Sequence, residues 1–130
     1  MSRIAAQDLK KAIKLFNRWQ FEEAIDAFDK MLPLLEGTDK QVIELLSQLS
    51  HAFHRVWHKQ GEPNAMVSFL QRGSEMMRVV GTNSLGISVN GLQEAIDGCL
   101  NEALRWRRGE VEIFNRDLIP RIELIEGYLD

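Results

Sequence analysis

All three histidines of the chain lie within one short stretch, at His51, His54 and His58. Spacings of three and four residues put them on one line of a helix. Two imidazoles a turn apart suit zinc, nickel or copper, so the line is a candidate metal site for a metal-dependent enzyme or a metal sensor. A catalytic metal also needs a third ligand or a carboxylate fixed by outer hydrogen bonds. No such partner is placed by the sequence; Glu44 and Ser47 share the face as ordinary surface residues. With Leu49 at zero and about 100° per residue, the three rings fall near about 200°, 140° and 180°. Leu45, Leu46, Ala52, Phe53 and Val56 fall within about 60° of zero. The histidines are therefore expected on a solvated face, opposite the apolar stripe.

Glu22, Glu23, Asp26 and Asp29 could form an acid and base pair. Acidic residues also favour a helix start, and an apolar stripe needs a polar back. We read them as surface, with Glu23 and Asp26 as candidate interaction residues. The one basic cluster is Arg105, Trp106, Arg107, Arg108. Arginines flanking an indole could pair with and stack on RNA. Cations in a last helical turn also complement its dipole without any ligand. Cys99 sits on an apolar stripe, where an inert core thiol is expected. No Gly-x-Ser-x-Gly elbow occurs, and Gly81–Gly91 lacks the Lys and the preceding strand of a phosphate loop. No catalytic residue and no cofactor is implied.

These residues must be positioned by helices. Leu9, Ala12, Ile13 and Phe16 are helically spaced between Ile4 and Arg18. Phe21, Ala24, Ile25, Phe28, Met31, Leu32 and Leu35 follow the amphipathic rule without a gap, which predicts that Ile25 and Phe28 are both core. Only Trp19 and Gln20 separate these patterns, so the two helices are antiparallel neighbours. The basic stripe Lys10, Lys14, Arg18 could then face Glu22, Asp26 and Asp29 at the rim. Pro33 should kink or tighten the last turn of the second helix. Gly37 should end it, and Thr38 with Gln41 reads as a capping box. A third helix follows to about Gln60, with Val42, Leu45, Leu46, Leu49, Ala52, Phe53, Val56 and Trp57 as its stripe. Glu62 and Pro63 open a fourth. Its stripe is Met66, Phe69, Leu70, Gly73, Met76, Met77 and Val80. Gly81–Gly91 reads as a loop. Leu92, Ala95, Ile96, Cys99, Leu100 and Ala103 give a fifth helix to about Arg107. Beyond Gly109, Val111, Phe114, Leu118, Ile122 and Ile125 predict two short helical pieces interrupted by Pro120, docked on the rest. No segment alternates at period two.

Two stretches, Leu15–Leu32 and Leu49–Gly73, each read as helix, break, helix, with Ala24 and Ala65 early in the second helix, 41 residues apart. In general shape they resemble tetratricopeptide-type hairpins, which stack to form a groove. The period is longer than in that repeat, and only two units exist. Phe16-Asn17, Phe21, Glu23-Ala24-Ile25-Asp26 and Phe28-Asp29, followed by Gln48-Leu49, Ala52, His54, Gly61 and Ala65, give a second resemblance covering Leu9 to Leu104. In order and spacing they resemble the small helical family called domain of unknown function 309. That family's histidine falls on Ile25 here, and its glycine before the aromatic falls on Trp19. The resemblance implies an all-helical fold and carries no established activity.

The chain has 130 residues, with 45% apolar and 27% charged, enough for one domain with a buried core. Sixteen basic against nineteen acidic side chains leave −3, which makes nucleic acid an unfavoured partner. A single cysteine excludes an internal disulfide. The amphipathic start lacks the apolar run of a secretory signal, and no run approaches the roughly 20 residues of a membrane span. A soluble, cytoplasmic protein is expected. The sequence therefore predicts an all-α antiparallel bundle of about five helices. It has two hairpins and a C-terminal helix in residues 1–108, with a partly helical segment, 109–130, packed on them. The expected function is a non-enzymatic protein-interaction or scaffold module, offering a groove between the hairpins to a partner's helix or peptide, or acting as a homo-oligomer. The alternatives are a metal-dependent protein using the histidines and an RNA-binding module using the arginines.

Overall fold

Each long apolar stripe becomes a helix in the computed structural model, which describes residues 6–57, 62–80 and 89–123. The order is α1 (Ala6–Asn17), α2 (Phe21–Met31), a 3-10 turn (Leu32–Leu34), α3 (Gly37–His54), a 3-10 turn (Arg55–Trp57), α4 (Pro63–Val79), α5 (Val89–Arg107) and a last 3-10 turn (Arg116–Leu118). No strand occurs among the described residues. The architecture is an all-α helical bundle. Each helix packs on its chain neighbours, so α3 is covered by α2 on one side and α4 on the other.

Two helix ends use the same device. Trp19 N–H donates to Phe16 O and Gln20 N–H to Leu15 O, both at 2.9 Å. Gly109 N–H donates to Trp106 O at 3.0 Å and Glu110 N–H to Arg105 O at 2.9 Å. This paired closure satisfies the last carbonyls and needs a left-handed residue after the cap. Gly109 supplies it at φ 78°, and Trp19 at φ 63°. For Trp that conformation costs about 1–2 kcal/mol. Pro33 tightens the end of α2 into its 3-10 turn, and Pro63 opens α4 at its first turn.

The core runs through all five helices, and its widest part is aromatic. Phe16 meets Phe21 edge-on at 5.1 Å and Phe53 at 6.0 Å; Phe53 in turn meets Phe114 at 6.4 Å. Such edge and tilted pairs add about 0.5–1.5 kcal/mol each beyond burial. Gly73 lets α4 approach α3, since a Cβ there would sit 3.1 Å from Leu49 Cδ2. Three buried serines are satisfied. Ser47 donates to Asp29 of α2 at 2.7 Å, Ser74 to Asp97 of α5 at 2.8 Å, and Ser50 to the Leu46 carbonyl at 2.8 Å.

Several boundaries and residues differ from the sequence reading. Ile25 is only half-buried, whereas Phe28 is fully buried. Phe21, Ala24, Phe28 and Met31 define the buried arc of α2, and at about 100° per residue Ile25 lies about 80° from its middle. Gly37 begins α3 instead of ending α2; Glu36 is the cap, and no side-chain capping bond forms, so the Thr38–Gln41 box is absent. The α-helical register of α3 stops at His54, well before Gln60. The Trp57 side chain, His58 and most of the predicted loop, 81–88, lie outside the described residues. Val89–Gly91, expected in that loop, belong to the first turn of α5.

The described part of the C-terminal segment, 109–123, turns and bends over residues 109–113 and then holds one 3-10 turn in otherwise irregular backbone, in place of the first of the two expected helical pieces. Pro120 lacks an N–H and cannot propagate a helix through this stretch. Phe114 and Ile122 are buried; Leu118, expected to be buried, is 40% exposed. Ile125 lies outside the described residues.

Candidate functional site

The helical spacing of Gln41, Glu44, Gln48 and His51 places all four on one edge of α3. Phe69, Arg72, Met76 and Val79 have the same three-four-three spacing on α4. These two edges line an open groove. Its middle, about 540 Å³, is bounded by Leu32, Glu44, Ser47, Gln48, His51, Arg72 and Met76. It shares Gln48 and Arg72 with a lobe of about 420 Å³ reaching Ala65, Ser68 and Phe69. At the other end it shares Glu44 and Met76 with a lobe of about 180 Å³ reaching Gln41, Val79 and Val80. The α3 wall is polar. The α4 wall is apolar apart from Ser68 and Arg72, and Val79 is 72% exposed at its end.

His51 and His54 are half-buried, not on a solvated face. Ser47, assigned to that face, is buried, and so are Ile43 and Ser50, because α3 has a neighbour on each flank. The His51 ring stacks on Phe69 at 5.3 Å and 16°. The Arg55 guanidinium lies 5.4 Å from the same ring and pairs with Glu62 at 3.4 Å. Burial lowers the His51 pKa below its ordinary 6.5; Arg55 and His54 add to this, and Asp29 opposes it. The ring is therefore neutral at pH 7, a hydrogen-bonding group in the groove wall. His58 lies outside the described residues, and no group of three His, Cys, Asp or Glu able to hold a metal occurs among the described residues.

The indole of the arginine cluster is buried. Trp106 is 8% exposed, its ring taken into the core as the next step of the stripe Cys99, Ala103, Trp106. Arg105 pairs with Glu102 at 3.0 Å, Arg108 pairs with Glu110, and Arg107 is exposed. Glu23 is exposed and accepts from Gln20 Nε2 at 3.1 Å; Asp26 is exposed. Asp29 accepts from Ser47 of α3. Cys99 is buried, its thiol pushed up to about 12 by burial and then by the Glu102 charge. Its sulfur donates to Leu118 O at 3.1 Å. That is a structural thiol with no nucleophilic role at neutral pH.

Sequence reasoning missed Asn17 and Glu102. Asn17 Nδ2 donates to Ile122 O at 3.1 Å, and Ile122 N–H donates to Asn17 Oδ1 at 2.8 Å. Glu102 is buried and accepts from the Asn115 N–H at 3.2 Å. A carboxylate inside the stripe Cys99, Ala103, Trp106 was the available signal for Glu102. Asn17 carried none beyond its place after Phe16.

No family model, no curated protein and no solved structure matches the chain. No helix among the described residues is long and apolar enough to cross a membrane.

Proposed function

We propose that this protein is a non-enzymatic interaction module whose α3–α4 groove receives a helix of a protein partner. The observation that carries this is the repeated three-four-three spacing of Gln41, Glu44, Gln48, His51 on one wall and Phe69, Arg72, Met76, Val79 on the other. That spacing is the seam along which helices pack, and an amphipathic helix lays its apolar side into such a seam. The fitting helix sets apolar residues against Phe69, Met76 and Val79, an acid near Arg72, and polar groups along the α3 wall. The burial of Trp106 and the ion pairs of Arg105 and Arg108 favour this reading over RNA binding.

The test is affinity capture from the native cell at low salt with three baits: the wild-type chain, the double variant Arg72→Glu/Met76→Glu, and Lys14→Glu on α1. The expected result is a partner retained by wild type and Lys14→Glu and lost from the groove variant. Retention of every captured protein by the groove variant overturns the proposal.

A further inference from the structure

We infer that the outer face of α1, with Trp19 at its end, docks the protein on an anionic lipid bilayer. This surface is separate from the α3–α4 groove and does not depend on it. Charge is unevenly shared along the chain. Residues 1–18 carry five basic side chains and one acidic, a net +4; the rest of the chain carries eleven and eighteen, a net −7. Such asymmetry marks the basic part as the end that meets a polyanionic surface. The field of the whole molecule then turns α1 toward that surface and holds the acidic remainder off it.

Four of the five cations share one face. With Lys10 at zero and about 100° per residue, Lys14, Arg18 and Lys11 fall near about 40°, 80° and 100°. Arg18 keeps this register, since its N–H donates to Lys14 O at 3.1 Å. All four are exposed. The buried Leu9, Ala12, Ile13 and Phe16 fall between about 200° and 300°, on the opposite side. Asp8, near about 160°, stands off the basic arc. From Lys10 to Arg18 the stripe rises about 12 Å along the helix. Trp19 follows it directly. Its φ of 63° is one that glycine adopts without strain, and it remains 42% exposed. Strain kept at an exposed residue points to a task, and a surface task for the indole accounts for both observations. Indoles settle at the headgroup level of a bilayer, beside lysines and arginines whose charges reach the phosphates. A bilayer asks only for exposed cations and an interfacial aromatic, because its headgroups rearrange to meet them. A nucleic-acid strand is held in a charged groove with stacking rings, and this face is the convex back of one helix.

The probe is a vesicle of phosphatidylcholine with about 30% phosphatidylserine, beside one of phosphatidylcholine alone, mixed with the full chain and sedimented. Wild type should sediment with the anionic vesicles at about 50 mM salt, stay in solution with the neutral ones, and be released at about 500 mM salt. Lys11→Glu/Lys14→Glu/Arg18→Glu should bind the anionic vesicles at least about tenfold more weakly, with circular dichroism confirming intact helices. Wild-type indole emission should shift to the blue on the anionic vesicles. Trp19→Gly should lose that shift and bind at least about threefold more weakly. No sedimentation of wild type, equal sedimentation with neutral vesicles, or undiminished binding by the folded triple variant or by Trp19→Gly overturns the inference. Should a variant fail to fold, the salt release of wild type decides, and binding unmoved by salt overturns the inference. Retention by single-stranded RNA without retention by vesicles would assign the face to nucleic acid and overturn it as well.

Discussion

Asn17 and Ile122, 105 positions apart in the chain, exchange two hydrogen bonds at 3.1 and 2.8 Å through one side-chain amide and one peptide unit. A single asparagine at the end of α1 thereby pins the C-terminal segment at Ile122. Replacing it with alanine orphans both main-chain groups of Ile122. Asn17→Ala should lower stability by about 1–3 kcal/mol. Urea melts check this, and a loss below about 0.5 kcal/mol would show that the clamp is slack.

Phe28 and Ile25 should separate clearly. Phe28 is fully buried among helices, so Phe28→Ala should cost about 3–5 kcal/mol. Ile25 is half-buried at the rim of the stripe, and Ile25→Ala should cost about 1–2 kcal/mol, since part of its surface stays in water on folding. Equal losses in urea melts would place Ile25 in the core after all.

Two glycines in helix interiors, Gly73 and Gly98, should respond in opposite ways. Nothing lies within 4 Å of a Cβ built on Gly98, so Gly98→Ala should stabilise by about 0.5–1 kcal/mol through helix propensity alone. At Gly73 a Cβ meets Leu49 Cδ2 at 3.1 Å, which offsets that gain. Gly73→Val should go further and cost about 1–3 kcal/mol by forcing α3 and α4 apart. Thermal melts of the three variants read the difference directly.

Cys99 carries a pH signature. Its thiol is pushed from 9.0 up to about 12 in the folded chain, so the unfolded chain releases that proton first as pH rises. Between those values the folded state binds more protons than the unfolded one, and its stability falls with rising pH. The thiol's contribution is fully present below pH 9 and is lost toward pH 12. Wild type should be more stable than Cys99→Ala at pH 7, and the gap should shrink by up to roughly 1.4 kcal/mol per pH unit above pH 9. Paired denaturant melts from pH 7 to 11 measure the gap; a constant gap would mean the thiol is not held protonated.

The helices were legible because burial on one side leaves a period in the sequence. Phe21, Ala24 and Phe28 in α2, and Leu45, Leu46, Leu49 and Phe53 in α3, declare their face without reference to any other part of the chain. How wide that face is depends on how many neighbours the helix has. Periodicity around α3 cannot reveal that both α2 and α4 cover it, so the pattern assigns Ser47 and the histidines to solvent. The same limit hid Trp106, whose arginine neighbours suggest surface while its register continues the stripe of Cys99 and Ala103. Ile25 failed in the other direction, at the rim of a stripe narrower than its pattern. Asn17 and Glu102 act on main-chain groups, which look alike in every sequence, so their partners appear only in three dimensions. The sequence reading puts the groove between the two hairpins; the observed groove lies within the second, between α3 and α4, because only the pairing of those two helices decides which edges stay uncovered.

The most direct test of the interaction-module account is photocrosslinking in the native cell with a photoreactive residue at Gln48, on the groove wall, or at Lys14, on α1. The account predicts a discrete adduct from Gln48, mapping to the apolar side of an amphipathic helix in one partner protein, and none of that adduct from Lys14. The same adducts from both positions, or none from Gln48, would contradict it.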